Sequence, residues 1–211
     1  VGTAIDLADD DTKQPQFSVT NLMVLPEGLG ASLGGDGQQN PFLNFTAVSD
    51  SIYKVDEAIV SRSSKRPFYE HLVVLVISEE VAKQESMFIR LLDTYIRDVN
   101  FRRGIKVVVS KGPAKQLLDF TTSEDKLPAL HIDKILEHGS EQIGSITPKT
   151  TGDLEENHLI GISYVLPYLK VTDAVEQNQG AVFHGREEKM VGILNEAEMS
   201  GLEMIIGDQP L

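Results

Sequence analysis

The stretch Phe68-Tyr-Glu-His-Leu-Val-Val-Leu-Val-Ile-Ser78 decides the fold. Leu72 to Ile77 is an unbroken apolar run, rich in valine and isoleucine and closed by Ser78-Glu79-Glu80. So short a run reads as a strand buried on both faces, because a helix needs about 10 residues to stand. Burial on both faces calls for helices above and below, as crossover connections supply. Both flanks fit. Ile52, Val55, Ile59 and Val60 recur at helical spacing before the strand, and Met87, Phe88, Leu91, Leu92, Tyr95 and Ile96 after it. A further apolar strand, Ile105 to Val109, comes next, and Asp93 and Arg97 can pair weakly at i, i+4 on the outer face of the second helix.

Working back from this centre, Val1 to Leu7 and Gln16 to Leu25 read as two paired strands, with Phe17, Val19 and Leu22 to Leu25 as core candidates. The turn between them holds Asp9, Asp10 and Asp11, but lacks the alternating ligands and central glycine of a calcium loop. Gly28, Gly30, Gly34, Gly35 and Gly37 crowd the segment 26–41. A strand comes after them, and neither G-x-G-x-x-G nor G-K-[ST] is present, so the segment reads as a surface loop rather than a phosphate cradle. Pro41 to Val48 is the next strand. Ser49 or Asp50 then caps a helix that stops before Pro67.

Working forward, Gly112-Pro113 opens a short helix carrying Leu117, Leu118 and Phe120. The polar run Thr121-Thr-Ser-Glu-Asp-Lys126 marks an expected domain boundary. The expected class is α/β. Residues 1–122 form a first domain with a mixed sheet and crossover helices, and residues 123–211 a smaller α+β domain. The second part reads as a helix from Leu127 to Gln142 burying Leu130, Ile132, Ile135 and Leu136, then a strand from Leu159 to Val171 bent at Pro167. A hairpin comes next, Ala181-Val-Phe against Met190-Val-Gly-Ile-Leu across Gly185-Arg-Glu-Glu. Asn195 and Glu198 have the spacing of a capping box for a last helix bearing Met199, Leu202, Ile205 and Ile206.

Composition narrows the function. The 211 residues carry a formal net charge of −13, which argues against nucleic acid as a partner and against a basic patch on anionic lipid. With no cysteine, thiolate metal sites and disulfides are excluded within these residues. No apolar run approaches the roughly 20 residues of a membrane span. The start at Val1, already strand-like and without an initiator methionine, reads as a piece of something longer.

Chemistry-bearing motifs are scarce. His71, His131, His138, His158 and His184 are scattered. His131 and His138, with Asp133 or Glu137 near, could share a helix face as metal ligands, but a solvated face is the plainer reading. His71 stands beside Glu70 at the entrance to the central strand, where an imidazole more often bonds to backbone. There is no G-x-S-x-G elbow and no cysteine nucleophile. The residues by themselves point to a binding or assembly protein rather than an enzyme.

Four segments carry a resemblance. Pro67 to Ala82 (P-F-Y-E-H-L-V-V-L-V-I-S-E-E-V-A), Arg97-Asp98 with Phe101-Arg102-Arg103, Val109-Ser-Lys-Gly leading to Ala114-Lys-Gln-Leu-Leu, and Gly180-Ala-Val-Phe with Met190-Val-Gly-Ile-Leu-Asn-Glu stand in order along the chain. Together with Gly2-Thr-Ala-Ile-Asp they resemble the GerAC-like C subunits of spore germinant receptors. The resemblance implies a non-enzymatic lipoprotein on the outer face of the spore inner membrane, without cofactor or metal. Its partners would be the membrane-spanning A and B subunits of a nutrient receptor, with the membrane reached through a lipid anchor and no nucleic acid involved. The anchoring cysteine and the family's C-terminal domain are not within these residues. The resemblance carries no catalytic residue. It makes His71 a strand-entrance residue, Gly180 and Gly192 positions of backbone freedom in the hairpin, and Phe183 a core residue. Arg102 and Arg103, basic in an acidic chain, are the candidates for partner contact, while a solvated charge pair is the plainer reading.

Overall fold

The computed structural model describes residues 2–8, 16–24, 41–62, 69–98, 101–122, 125–140 and 146–206. The aspartate turn at 9–11 and the glycine-rich loop lie outside the described residues, as do Pro67 and Phe68. The strands are β1 (Gly2–Leu7), β2 (Phe17–Val24), β3 (Phe42–Ser49), β4 (Val74–Ser78), β5 (Lys106–Ser110), β6 (Tyr164–Val171), β7 (Val175–His184) and β8 (Lys189–Leu194). The helices are α1 (Ile52–Arg62), α2 (Glu79–Ala82), α3 (Glu85–Arg97), α4 (Lys115–Asp119), α5 (Pro128–Ser140), α6 (Thr151–Ile160) and α7 (Glu196–Ile206).

Among the described residues, all eight strands form one sheet in the order β3-β2-β1-β4-β5-β6-β7-β8. β1, β4, β5 and β6 run parallel, and the flanking pairs β3-β2, β2-β1, β6-β7 and β7-β8 are antiparallel. The α/β class expected from the sequence is the class observed. β4 is central and every one of its residues is buried. Its side chains alternate as a two-faced strand must: Leu75 and Ile77 enter one core, Val74 and Val76 the other. Above the first face lie α1, α2, α3 and α6, represented by Val55, Val81, Phe88 and Leu154. Across the second lie α4 and α5, through Leu117, Leu118, Ile132 and Leu136. Burying each such aliphatic side chain is worth about 1.5–3 kcal/mol.

The sheet does not stop at the boundary expected after residue 122. β6 pairs with β5 at Tyr168 and Leu169, and residues from both halves share each core. The described ends of the polar run, Thr121–Thr122 and Asp125–Lys126, lie between α4 and α5. The Thr122 hydroxyl accepts the Asp125 N–H at 2.9 Å, and Asp125 pairs with His131 and Lys134 of α5.

Three expectations in this half are corrected. The strand expected from Leu159 begins only at Tyr164, because a helix fills Thr151 to Ile160. Thr150 and Asp153 cap its start reciprocally, and Gly161, at φ 72°, ends it in the left-handed region. Pro167 then sits inside β6 opposite Gly180, at a point where β5 bonds elsewhere: the Val107 N–H donates to the Lys149 carbonyl at 2.9 Å. On α5 the buried face is Ala129, Ile132 and Leu136, while Leu130, expected inside, is 38% exposed. On α7 Met199 is buried but Ile205 is 83% exposed. The β7–β8 hairpin and the Asn195–Glu198 capping box stand as expected, with Asn195 N–H to Glu198 at 2.9 Å and Glu198 N–H to Asn195 at 3.0 Å.

Candidate functional site

Two crevices lie at opposite ends of the central strands. The upper one, about 500 Å³, is at the C-terminal ends of β1, β4 and β5 and is lined by Asp6, Ser18, Ser78, Glu80, Gly112 and Lys115, among others. Open α/β sheets hold ligands at this end. Ser78 ends β4 and caps α2, and Gly112, at φ 85°, turns the chain from β5 toward α4. The Asp6 carboxylate accepts the N–H groups of Ala114 at 2.5 Å and Lys115 at 3.0 Å. Burial pushes the Asp6 carboxyl above its ordinary range; the two N–H groups pull it down, and Glu80 pushes it up again. The start of α4 is thus already occupied by a carboxylate of the chain, and an incoming anion would meet Asp6 there. The mixed rim of Glu80 and Lys115 suits a small cationic or zwitterionic molecule better than a phosphate.

Behind this crevice the Tyr168 hydroxyl donates to Glu79 at 2.6 Å, and Lys83 pairs with the same carboxylate. Burial, reinforced by Glu79, pushes the Tyr168 hydroxyl up. Burial works against the Glu79 charge, but the bonds from Lys83 and Tyr168 prevail and hold its carboxyl low.

The lower crevice, about 700 Å³, lies at the opposite strand ends and is lined by His71, Arg102, Gly104, Lys106, Asp133 and Glu137 with apolar neighbours. Lys106 opens β5, its side chain only 18% exposed, and its ammonium donates to Asp133 at 2.6 Å and Glu137 at 3.0 Å. Burial disfavours the Lys106 charge, yet the two carboxylates outweigh it and raise its pKa. The cluster ties β5 to α5 and gives the crevice fixed charges of both signs.

A family model described as the spore germination protein N-terminal domain matches residues 1–171. The chain belongs to that family. It is 29% identical over 180 residues to the spore germination protein YndF of Bacillus subtilis (strain 168), which is 85% of this chain and 44% of the relative. It is 26% identical over 140 residues to spore germination protein KC of the same organism, 65% of this chain and 34% of the relative. The chain therefore spans less than half the length of these relatives. A solved structure, the crystal structure of the GerBC protein, shares the fold with TM-score 0.52 and 21% identity, over 100% of this chain and 58% of that one. The resemblance to GerAC-like germinant receptor C subunits read from the motifs is borne out.

Among the motif residues, His71 and Arg102 meet at the lower crevice, which sequence spacing alone did not bring together. His71 is exposed, at the end of a 3-10 turn (Tyr69–His71) that enters β4. Arg103 turns the other way. Its guanidinium pairs with Glu155 of α6 at 2.6 Å, and its carbonyl accepts the Gly152 N–H at 2.9 Å. Phe183 is fully buried, stacked on Tyr164 at 5.2 Å and tilted against Phe88 at 4.7 Å. Gly180 is needed for space: a Cβ there would lie 2.3 Å from Ile146 Cδ1 and 2.7 Å from Val165 Cγ1. Gly192 has neither a crowded Cβ nor a left-handed φ. Gly192 instead lies at the register shift of the β7–β8 pair, where Val182 faces Gly192 and Phe183 faces Met190.

The carboxylates considered beside His131 and His138 converge on Lys106 instead, and His131 Nδ1 lies 3.0 Å from Asp125. Sequence reasoning passed over Lys106 as a site residue. Its signal is a lysine at the head of a buried strand, with carboxylates at i, i+4 on the next long helix.

Proposed function

We propose that the chain is a non-enzymatic subunit of a nutrient germinant receptor. It helps trigger spore germination by assembling with the receptor's membrane-spanning A and B subunits. The family match across residues 1–171 carries this reading, and relatives named spore germination protein KC and spore germination protein A3 support it. Charge supports the division of labour. A net charge of −13 is repelled by anionic lipid, so a lipid anchor outside these residues supplies the membrane affinity, on the outer face of the spore inner membrane. Assembly then falls to the folded surface. Arg102 and Arg103 are assigned to partner contact, Arg102 at the rim of the lower crevice and Arg103 while holding α6 through Glu155.

The test is co-purification of the tagged full-length protein from spore membranes. Recovery of the A and B subunits is expected, with a several-fold loss on Arg102→Glu. Absence of both subunits from the wild-type eluate overturns the reading; full recovery with Arg102→Glu and Arg103→Glu combined removes the two arginines from it.

The upper crevice favours a second reading, binding of a small germinant. Its position at the strand C-termini and its carboxylate and ammonium rim support an amino-acid-like ligand. Thermal-shift measurements with amino acids, sugars and nucleosides at millimolar concentration test it. A rise in midpoint that is abolished by Glu80→Gln supports it, and no rise with any of them rejects it.

A further inference from the structure

A third concavity lies away from both crevices, between α7 and the β6–β8 end of the sheet. It is about 480 Å³ and mainly apolar, walled by Ile146, Ile162, Val182, Leu194, Met199 and Leu202. Apolar side chains continue outside it. Leu159 and Ile160, on the last turn of α6 between the lining residues Asn157 and Ile162, are 77% and 61% exposed. Met204 and Ile205, on the last turns of α7, are 76% and 83% exposed. Exposed apolar surface concentrated in this way marks an interface. A polar defect lies in the same wall: the Asn157 Nδ2 is buried and has no hydrogen-bond partner among the described residues. A buried donor left in this way is costly unless something supplies an acceptor.

We infer that this groove seats a later segment of the same polypeptide, one that presents apolar side chains and a backbone carbonyl for Asn157. The groove straddles the end of the family model. That model is described as an N-terminal domain and ends at residue 171, so one wall (Ile146, Ile162) belongs to that domain and the other (Val182, Leu194, Met199, Leu202) to the chain beyond it. The relatives are long enough to provide the occupant, since the matched stretches are 44% of YndF and 34% of KC. A second copy of this chain is a poorer occupant, because two surfaces from a chain of net charge −13 repel.

Residues 1–211 contain no cysteine, and in the full-length polypeptide labelling is read at each introduced thiol by peptide mass spectrometry, so that cysteines elsewhere do not interfere. Ile162→Cys and Leu202→Cys each place a single thiol at the groove, and both sites are already part-exposed, so folding tolerates the change. Leu43→Cys, on the far edge strand β3, is the control. Maleimide labelling is timed in residues 1–211 and in the natural full-length polypeptide. The expected result is labelling slowed at least tenfold at 162 and 202 in the full-length polypeptide, at any protein concentration, and unchanged at 43. Equal rates in both forms overturn the inference. So does protection that grows with concentration (a second copy), protection that needs the receptor's other subunits, or a natural polypeptide that stops at Leu211.

Discussion

β4 and β8 belong to one sheet but live under different rules. Every residue of β4 is buried, whereas in β8 only Met190 is, and Val191 and Ile193 are 53% and 40% exposed. The centre has helices on both faces, so its side chains are fixed by packing and any change of volume is felt. The rim is covered incompletely, so its apolar side chains are available to something else. Close packing is thereby confined to the centre, and exposed apolar surface to the rim. A sheet built this way can keep its fold while its outer surface adapts to partners.

The sharpest way to break this contrast is truncation at each end of it. Leu75→Ala should cost about 2–5 kcal/mol in urea unfolding, the usual penalty for a cavity in a close-packed core. Val191→Ala should stay within about 0.5 kcal/mol, as exposed substitutions do. Near-equal values would mean that the centre is not sandwiched. The next effect compares two glycines of the hairpin. Gly180→Ala drives a methyl into Ile146 and Val165 and should cost about 1–3 kcal/mol, whereas Gly192→Ala meets open space and should be close to neutral. Equal thermal midpoints for the pair would show that the close approach at Gly180 is not needed.

Smaller effects sharpen the account of α6. Thr150→Ala removes half of its reciprocal cap and should lower stability by about 1 kcal/mol. Arg103→Ala, which breaks an exposed pair with Glu155, should cost less than about 1 kcal/mol in the same assay.

Two carboxylates should show opposite pH behaviour. Asp125 is held below the ordinary range by Lys134 and then by His131. A depressed folded value means its stabilisation is present above the unfolded pKa of ~3.9 and disappears as the pH falls through the folded value. The destabilisation by Asp125→Asn should therefore be seen at neutral pH and fade in acid. Asp6 is raised by burial, so protonating it as the pH falls through its folded value favours the native state. Carboxyl NMR titration should find Asp6 above and Asp125 below the ordinary aspartate value; the reverse order would contradict the two environments.

The same contrast explains what could be read in the sequence. Leu72 to Ile77 announced a buried strand because two-faced burial leaves an unbroken apolar run, and Gly2–Leu7, the flanking helices and the β7–β8 hairpin came from equally local signals. α6 was missed because its inward face is small. Only Thr151 and Leu154 are buried, so no apolar period stands out, and the cue lay in Thr150, Asp153 and Gly161. The polar run at 121–126 has the composition of a linker, yet the chain on its two sides contributes strands to one sheet, a pairing between distant strands that composition does not carry. Of the candidate sites, His71 and Arg102 could be named but not joined. Their meeting at one crevice depends on how the turn before β4 and the turn before β5 pack, which is information between elements rather than within them. The exposed end of α7 escaped for a related reason, since Ile205 continues a helical apolar pattern and periodicity does not say where burial ends.

Native-state hydrogen exchange on residues 1–211 tests the central claim most directly, that one sheet with a sandwiched centre crosses the whole chain. Amides of β1, β4, β5 and the pairing part of β6 should open together, at the free energy of global unfolding, with β8 and the end of α7 exchanging faster. If residues 2–122 and 125–206 instead opened as two independent groups with separate free energies, the continuous sheet and the account built on it would be contradicted.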